Sequence, residues 1–337
     1  MAGSSSSNMI FIDGEASAQL QELARFLGEL KKVEKVDEYV SQNNTARALV
    51  AESVGGVLAK APEDKLEAVY NQLFGIVAES KDDLKLESVA GEIAQDVAAN
   101  AESGAGGLRV LNNLYNILVG ENTKELGSAR AVVFEAMVAL ATRTQLLGMT
   151  IVPLVGRLPA MFGEWGISAN DRVRVLMDVR RALDAAQLGS EAYETELVLL
   201  DVVGASSSSA SQSSAAAAEV AASAIVRFAN LSAVCDLDAL ASLGSVQELS
   251  KNGGLGDAGK LLDALLSSDF KQWRGFAEAN SEMLQRLGVD ASKASDKMRL
   301  LTVASLAAEN LGRDVPFGTV AQAIEVDEDD VEMWIID

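Results

Sequence analysis

The chain has no histidine, one cysteine and four prolines among 337 residues, and Phe, Trp and Tyr together make up 5% of it. Without histidine it lacks the commonest general base, the usual serine and cysteine triads and most zinc sites, so any catalysis would rest on carboxylates, lysine or tyrosine. The single thiol, Cys235, forms no disulfide within the chain. The strongest apolar run, 146–155, is interrupted by Gly148 and Pro153 and is too short to span a bilayer. No basic segment followed by a long apolar run opens the sequence, and a cytoplasmic location is expected. Basic residues are also scarce, 28 against 49 acidic, and the net charge of -21 opposes nucleic acid and anionic membranes while favouring a basic or neutral partner surface.

What is abundant is alanine, leucine, valine, glutamate and serine, a composition that favours helices over a β-sandwich. Residues 1–14 start with a Ser-rich stretch and are expected to be a disordered tail. Helices are predicted at 15–32, 44–60, 62–79, 84–99, 105–119, 125–146, 149–163, 170–187, 190–203, 213–230, 236–251 and 257–287, the last with a break near Ser268. Leu108, Leu111, Leu114, Tyr115 and Leu118 form one apolar stripe at helical spacing, and Val133, Phe134, Met137, Leu140 and Ala141 form another; both are predicted core. Tandem helices with no strand pattern between them are the signature of a helical-repeat solenoid, here without a strict period. The serines of 205–214 cannot pack a core and are expected to form a flexible loop. The expected division is N-terminal repeats at 15–204, that loop, C-terminal repeats at 215–290 and a separate unit at 291–337.

Two motifs suggest chemistry. Gly254, Gly256 and Gly259 satisfy G-x-G-x-x-G, but a phosphate loop needs a strand before it, and 240–251 is helical in pattern. The simpler reading is that Gly253 or Gly254 ends one helix and Asp257 caps the next. Arg172, Arg174, Arg180 and Arg181 make the densest basic patch, yet Asp171, Asp178 and Asp184 interleave with them. That pattern is a solvated face with internal ion pairs; the alternative is an RNA or ribosome contact through Arg172, Arg174 and Arg181. Paired carboxylates are plentiful, but nothing in the sequence places an acid and a base around one cleft. No catalytic, cofactor or metal residue is assigned.

Residues 291–337 read as the opening of a winged helix. The helix at 297–309 carries apolar residues on more than one face, Gly312 ends it, 319–324 is the second helix, and Asp327 stands where an N-cap should precede a third. Winged helices often lay that third helix in the DNA major groove, but seven acidic residues and no basic one fall between 325 and 337. DNA binding is therefore excluded. A protein-docking face is expected instead, carried by Phe317, Val331, Met333, Trp334, Ile335 and Ile336.

The run DKMRLLT at 296–302, PFGT at 316–319 and DVEMWIID at 330–337 resemble the PCI module shared by the proteasome lid, the signalosome and translation initiation factor 3. FAEANSEML at 276–284, LG at 287–288, LRVLNNLYNIL at 108–118 and CDL at 235–237 with Leu240 point within that family to the initiation-factor branch. The resemblance implies an all-α fold, a right-handed helical-repeat (TPR/HEAT-like) solenoid followed by a truncated winged helix. It further implies a non-catalytic scaffold subunit without cofactors, whose partners are other PCI and MPN subunits of translation initiation factor 3 and, mostly indirectly, the small ribosomal subunit. A PCI subunit of the signalosome or proteasome lid is the alternative, and a carboxylate-dependent helical enzyme a distant one. The family continues beyond the third helix into a wing and a helical tail, and the natural chain is expected to do the same.

Overall fold

A computed structural model describes residues 16–80, 84–120, 126–205, 212–267 and 269–336. The expected tail at 1–14 and most of the expected serine loop, 206–211, lie outside the described residues. Every regular element among the described residues is helical, in accord with the predicted all-α class.

The chain forms two compact units, Met1–Leu188 and Gly189–Asp337. The first contains α1 (Ala16–Leu30), α2 (Val36–Gln42), α3 (Ala46–Ser53), α4 (Glu63–Ala78), α5 (Leu86–Asn100), α6 (Gly104–Gly120), α7 (Gly127–Arg143), α8 (Leu147–Thr150), α9 (Val152–Val155), α10 (Leu158–Trp165) and α11 (Ala169–Ala185). The second contains α12 (Gly189–Ala205), α13 (Gln212–Asn230), α14 (Asp238–Ala241), α15 (Gly244–Lys251), α16 (Gly256–Ser267), α17 (Phe270–Ala279), α18 (Ser281–Leu287), α19 (Ala291–Glu309), α20 (Phe317–Ile324) and α21 (Val331–Ile336).

Local chemistry sets the ends of these helices. The four prolines, Pro62, Pro153, Pro159 and Pro316, all stand at helix N-termini, where a missing N–H costs nothing. Two of them break the predicted helix at 149–163 into the short pieces α8, α9 and α10. Thr45, Ser168, Asp269 and Asp290 accept backbone N–H bonds as N-caps of α3, α11, α17 and α19. Asp269 and the turn at Asn280 divide the stretch predicted at 257–287 into α16, α17 and α18. The predicted pattern misses α2 altogether, a short helix with no buried residue.

In the first unit α7 is the hub, packed by α5, α6, α10 and α11. It is apolar around most of its circumference, and Val133, Phe134, Leu140 and Ala141 are buried, while Met137, predicted core, is half-buried and Ala139 is exposed. Leu108, Leu111, Leu114 and Leu118 of α6 are buried too, and Tyr115 accepts a 2.8 Å bond from Trp165 Nε1. Two arginines of α7 close the ends of its neighbours. Arg130, itself buried, donates twice to Leu118 O near the end of α6, and Arg143 donates to Ala98 O and Ala101 O at the end of α5. A cation set against helix C-terminal carbonyls satisfies orphan acceptors and complements the dipole together.

In the second unit α13 packs on α12, α15, α16 and α19, while α19 also meets α17, α20 and α21. Glu196 of α12 is fully buried and paired with Arg227 of α13 at 3.1 Å, with Ser223 Oγ donating to it at 2.7 Å.

Candidate protein-docking cap

Helices α19, α20 and α21, with a 3-10 turn at Glu328–Asp330 between the last two, form a cap with its own small core. Val320, Ala321, Ile324 and Val331 are buried there, and Val303, Val315, Val326 and Trp334 pack against them. The link at 314–316 is irregular. Asp327 occupies the position before the 3-10 turn, but its side chain makes no capping bond.

Residues 297–302 join this cap to the rest of its unit. Lys297 is buried, its ammonium bonded to Phe228 O and Val234 O and seated 3.7 Å from the centre of the Phe228 ring. Desolvation lowers its pKa to about 8. Arg299 lies between two aromatic rings, 4.4 Å from Phe270 and 5.3 Å from Trp334, and its Nε donates at 3.2 Å to Ile324 O, the last carbonyl of α20. Thr302 Oγ1 accepts from Phe270 N at 2.9 Å and donates to Met298 O. Trp273, fully buried, donates to Ser295 Oγ at 3.1 Å. Arg274 of α17 pairs with Glu325, which ends α20 in the left-handed region at φ 53°.

The residues expected to form a docking face separate into two sets. Val331 is fully buried in the cap core and Trp334 is half-buried beneath Arg299. Phe317, Met333 and Ile335 are 48%, 59% and 50% exposed, less than Met149 and Leu311 elsewhere, at 81% and 84%. The side chain of Ile336 lies outside the described residues. Lys297 and Arg299 were visible in sequence only as a basic pair inside an apolar helix; the signal of their role is that such a pair must find acceptors when the helix is buried on several faces.

The arginines suggested for an RNA contact belong to the first unit and are engaged with neighbours. Arg172 Nε donates to Ile167 O, Arg174 pairs with Glu135 at 2.9 Å and with Asp171, and Arg181 pairs with Asp178 at 3.1 Å. Arg180 also pairs with Asp184. Glu135 lines an open groove of about 370 Å³ between α5 and α7, where burial raises its pKa against the opposing pull of Arg174. A second open groove, about 390 Å³, is lined by Glu63 and Glu102, and the Glu63 carboxylate accepts from Ser103 Oγ at 2.6 Å. Among the described residues no group of three or more His, Cys, Asp or Glu side chains is placed to hold a metal ion.

The glycine-rich stretch is a helix-to-helix turn. Gly253, at φ 69°, follows α15, and Gly254 N returns to Leu249 O at 2.8 Å, closing that helix in the way a left-handed glycine allows. Asp257 does not cap α16, contrary to expectation. It sits inside the first turn and pairs with Lys260 and Arg286, and the Lys260 hydrogen bond leads the lowering of its pKa.

No family model matches the chain. Known proteins do. Eukaryotic translation initiation factor 3 subunit M of Chaetomium globosum is 26% identical over 340 residues, covering 98% of this chain and 75% of that protein. The same subunit of Schizosaccharomyces pombe is 25% identical over 339 residues, 98% of this chain and 79% of its own. That of Aspergillus oryzae is 27% identical over 330 residues, 94% of this chain and 67% of its own. Along nearly its whole length the chain is thus similar to subunit M of eukaryotic translation initiation factor 3.

Proposed function

We propose that the chain is a scaffold subunit of eukaryotic translation initiation factor 3, without catalytic activity of its own, which assembles in the cytoplasm with PCI and MPN subunits. Through that assembly it supports recruitment of the small ribosomal subunit and translation initiation. The observation that carries the reading is the match of 94–98% of the chain to proteins of that name in three fungi. Two features of the fold agree with it. All described elements are helical, and the cap leaves Phe317, Met333 and Ile335 uncovered, as a subunit that meets partners would. The Arg172, Arg174 and Arg181 face is not needed for this reading; Arg174 and Arg181 already pair with Glu135 and Asp178, and Arg172 bonds the Ile167 carbonyl.

Gradient sedimentation of an extract containing the tagged chain tests the proposal. The chain is expected to migrate with a large assembly and partly with the small ribosomal subunit. Sedimentation only as a free protein of 35.4 kDa would sink it.

A further inference from the structure

Two polar atoms of the first unit are enclosed with no hydrogen-bond partner among the described residues: the hydroxyl of Tyr70, on α4, and Oδ2 of Asp96, on α5. Tyr70 is 1% exposed. The other carboxylate oxygen of Asp96 is engaged twice, accepting from Gly56 N at 2.8 Å and from Asn100 Nδ2 at 2.9 Å. Those bonds hold the turn after α3 against α5. Gly56 stands in that turn at φ 78°, and a Cβ on it would meet the Asn100 side chain at 3.0 Å. The carboxylate is thus fixed, and Oδ2 cannot swing away to find a donor elsewhere.

A buried hydroxyl and a buried carboxylate oxygen are each costly when left bare, and native proteins rarely leave them so. The two do not bond each other. Yet the Asp96 carboxylate, after burial, raises the pKa of Tyr70, which keeps that side chain a phenol with a proton to donate. A donor and an acceptor that are too far apart to bond and near enough to feel one another suit a single bridging water. It accepts from Tyr70 Oη and donates to Asp96 Oδ2. A metal ion fits the pair poorly, because two oxygens are far fewer than a hard cation takes. No group of three or more His, Cys, Asp or Glu among the described residues is placed to supply the rest. We propose that one internal water joins Tyr70 to Asp96 and so ties α4, the turn at 55–56 and α5 into a single hydrogen-bonded node. This inference is independent of the scaffold reading above.

Tyr70→Phe removes the hydroxyl and keeps the ring. It should lower the thermal midpoint of the full chain by about 2–4 °C and reduce hydrogen-exchange protection of the Gly56 amide about fivefold, the loss of one ordinary hydrogen bond. A variant as stable as the wild type, or more stable, overturns the proposal, because deleting an unpaired hydroxyl relieves a cost. A direct bond from Tyr70 to Asp96 would also make the variant less stable, so the bridge is read separately in high-resolution crystal structures of both full chains. The expected result is a density peak within hydrogen-bond distance of Tyr70 Oη and Asp96 Oδ2 in the wild type, lost or displaced in Tyr70→Phe. A Tyr70 hydroxyl bonded straight to Asp96, a gap without density, or a peak with the short contacts of a metal ion would overturn it.

Discussion

Replacing Arg299 with alanine should loosen the cap and leave the rest of its unit in place. The guanidinium makes a charged hydrogen bond to Ile324 O, worth about 1.5 kcal/mol, and sits at the C-terminal end of the α20 dipole, worth about 0.5 kcal/mol. Its faces against Phe270 and Trp334 add about 0.5 kcal/mol each at a site where the side chain keeps 24% of its exposure. The pair with half-exposed Asp296 adds next to nothing. Because such terms overlap, the net loss is about 2–3 kcal/mol, which lowers hydrogen-exchange protection roughly 30- to 150-fold where it acts. The expected pattern is a fall of that size at the amides of α20 and α21, with α13 and α16 unchanged. Arg299→Lys should recover part of the loss, since it keeps the charge and loses the planar fork. Unchanged protection of 317–336 in Arg299→Ala, or an equal fall in α13, would refute the assignment of Arg299 as the joint of the cap.

Other perturbations follow from the same contacts. Between about pH 8, the folded pKa of Lys297, and 10.5, its unperturbed value, the unfolded chain holds a proton that the folded chain has lost, so Lys297 makes stability rise with pH in that window. Denaturant midpoints at pH 7.5, 9 and 10 should show this rise in the wild type and its loss in Lys297→Met. Gly127→Ala should cost on the order of 2 kcal/mol or more in thermal unfolding, because its Cβ would be driven into the Trp165 carbonyl; Gly148→Ala, with nothing within 4 Å, should be neutral within about 0.5 kcal/mol. Glu196→Gln removes the buried carboxylate that pairs with Arg227 and should lower stability by about 3 kcal/mol by the same assay.

The helices were legible in the sequence wherever an apolar stripe ran long enough to be enclosed, as in α6 and α7. Their ends were less so. Pro153 and Pro159 each mark a helix start, but three helices in nineteen residues from Leu147 to Trp165 look like one when read by periodicity alone. The docking face was half legible: composition placed Val331 and Met333 in one apolar cluster, and only packing against α20 separates the buried residue from the exposed one. The joints at Lys297 and Arg299 were not legible as joints, because their acceptors, Phe228 O and Ile324 O, are backbone atoms supplied by helices 69 and 25 residues away in the chain.

Purification of the tagged chain from cells at moderate salt, with the recovered proteins counted by mass spectrometry, is the most direct test of its role. The account predicts the subunits of eukaryotic translation initiation factor 3 in near-stoichiometric amounts. Recovery of signalosome or proteasome-lid subunits without them, or of the chain alone, would contradict it.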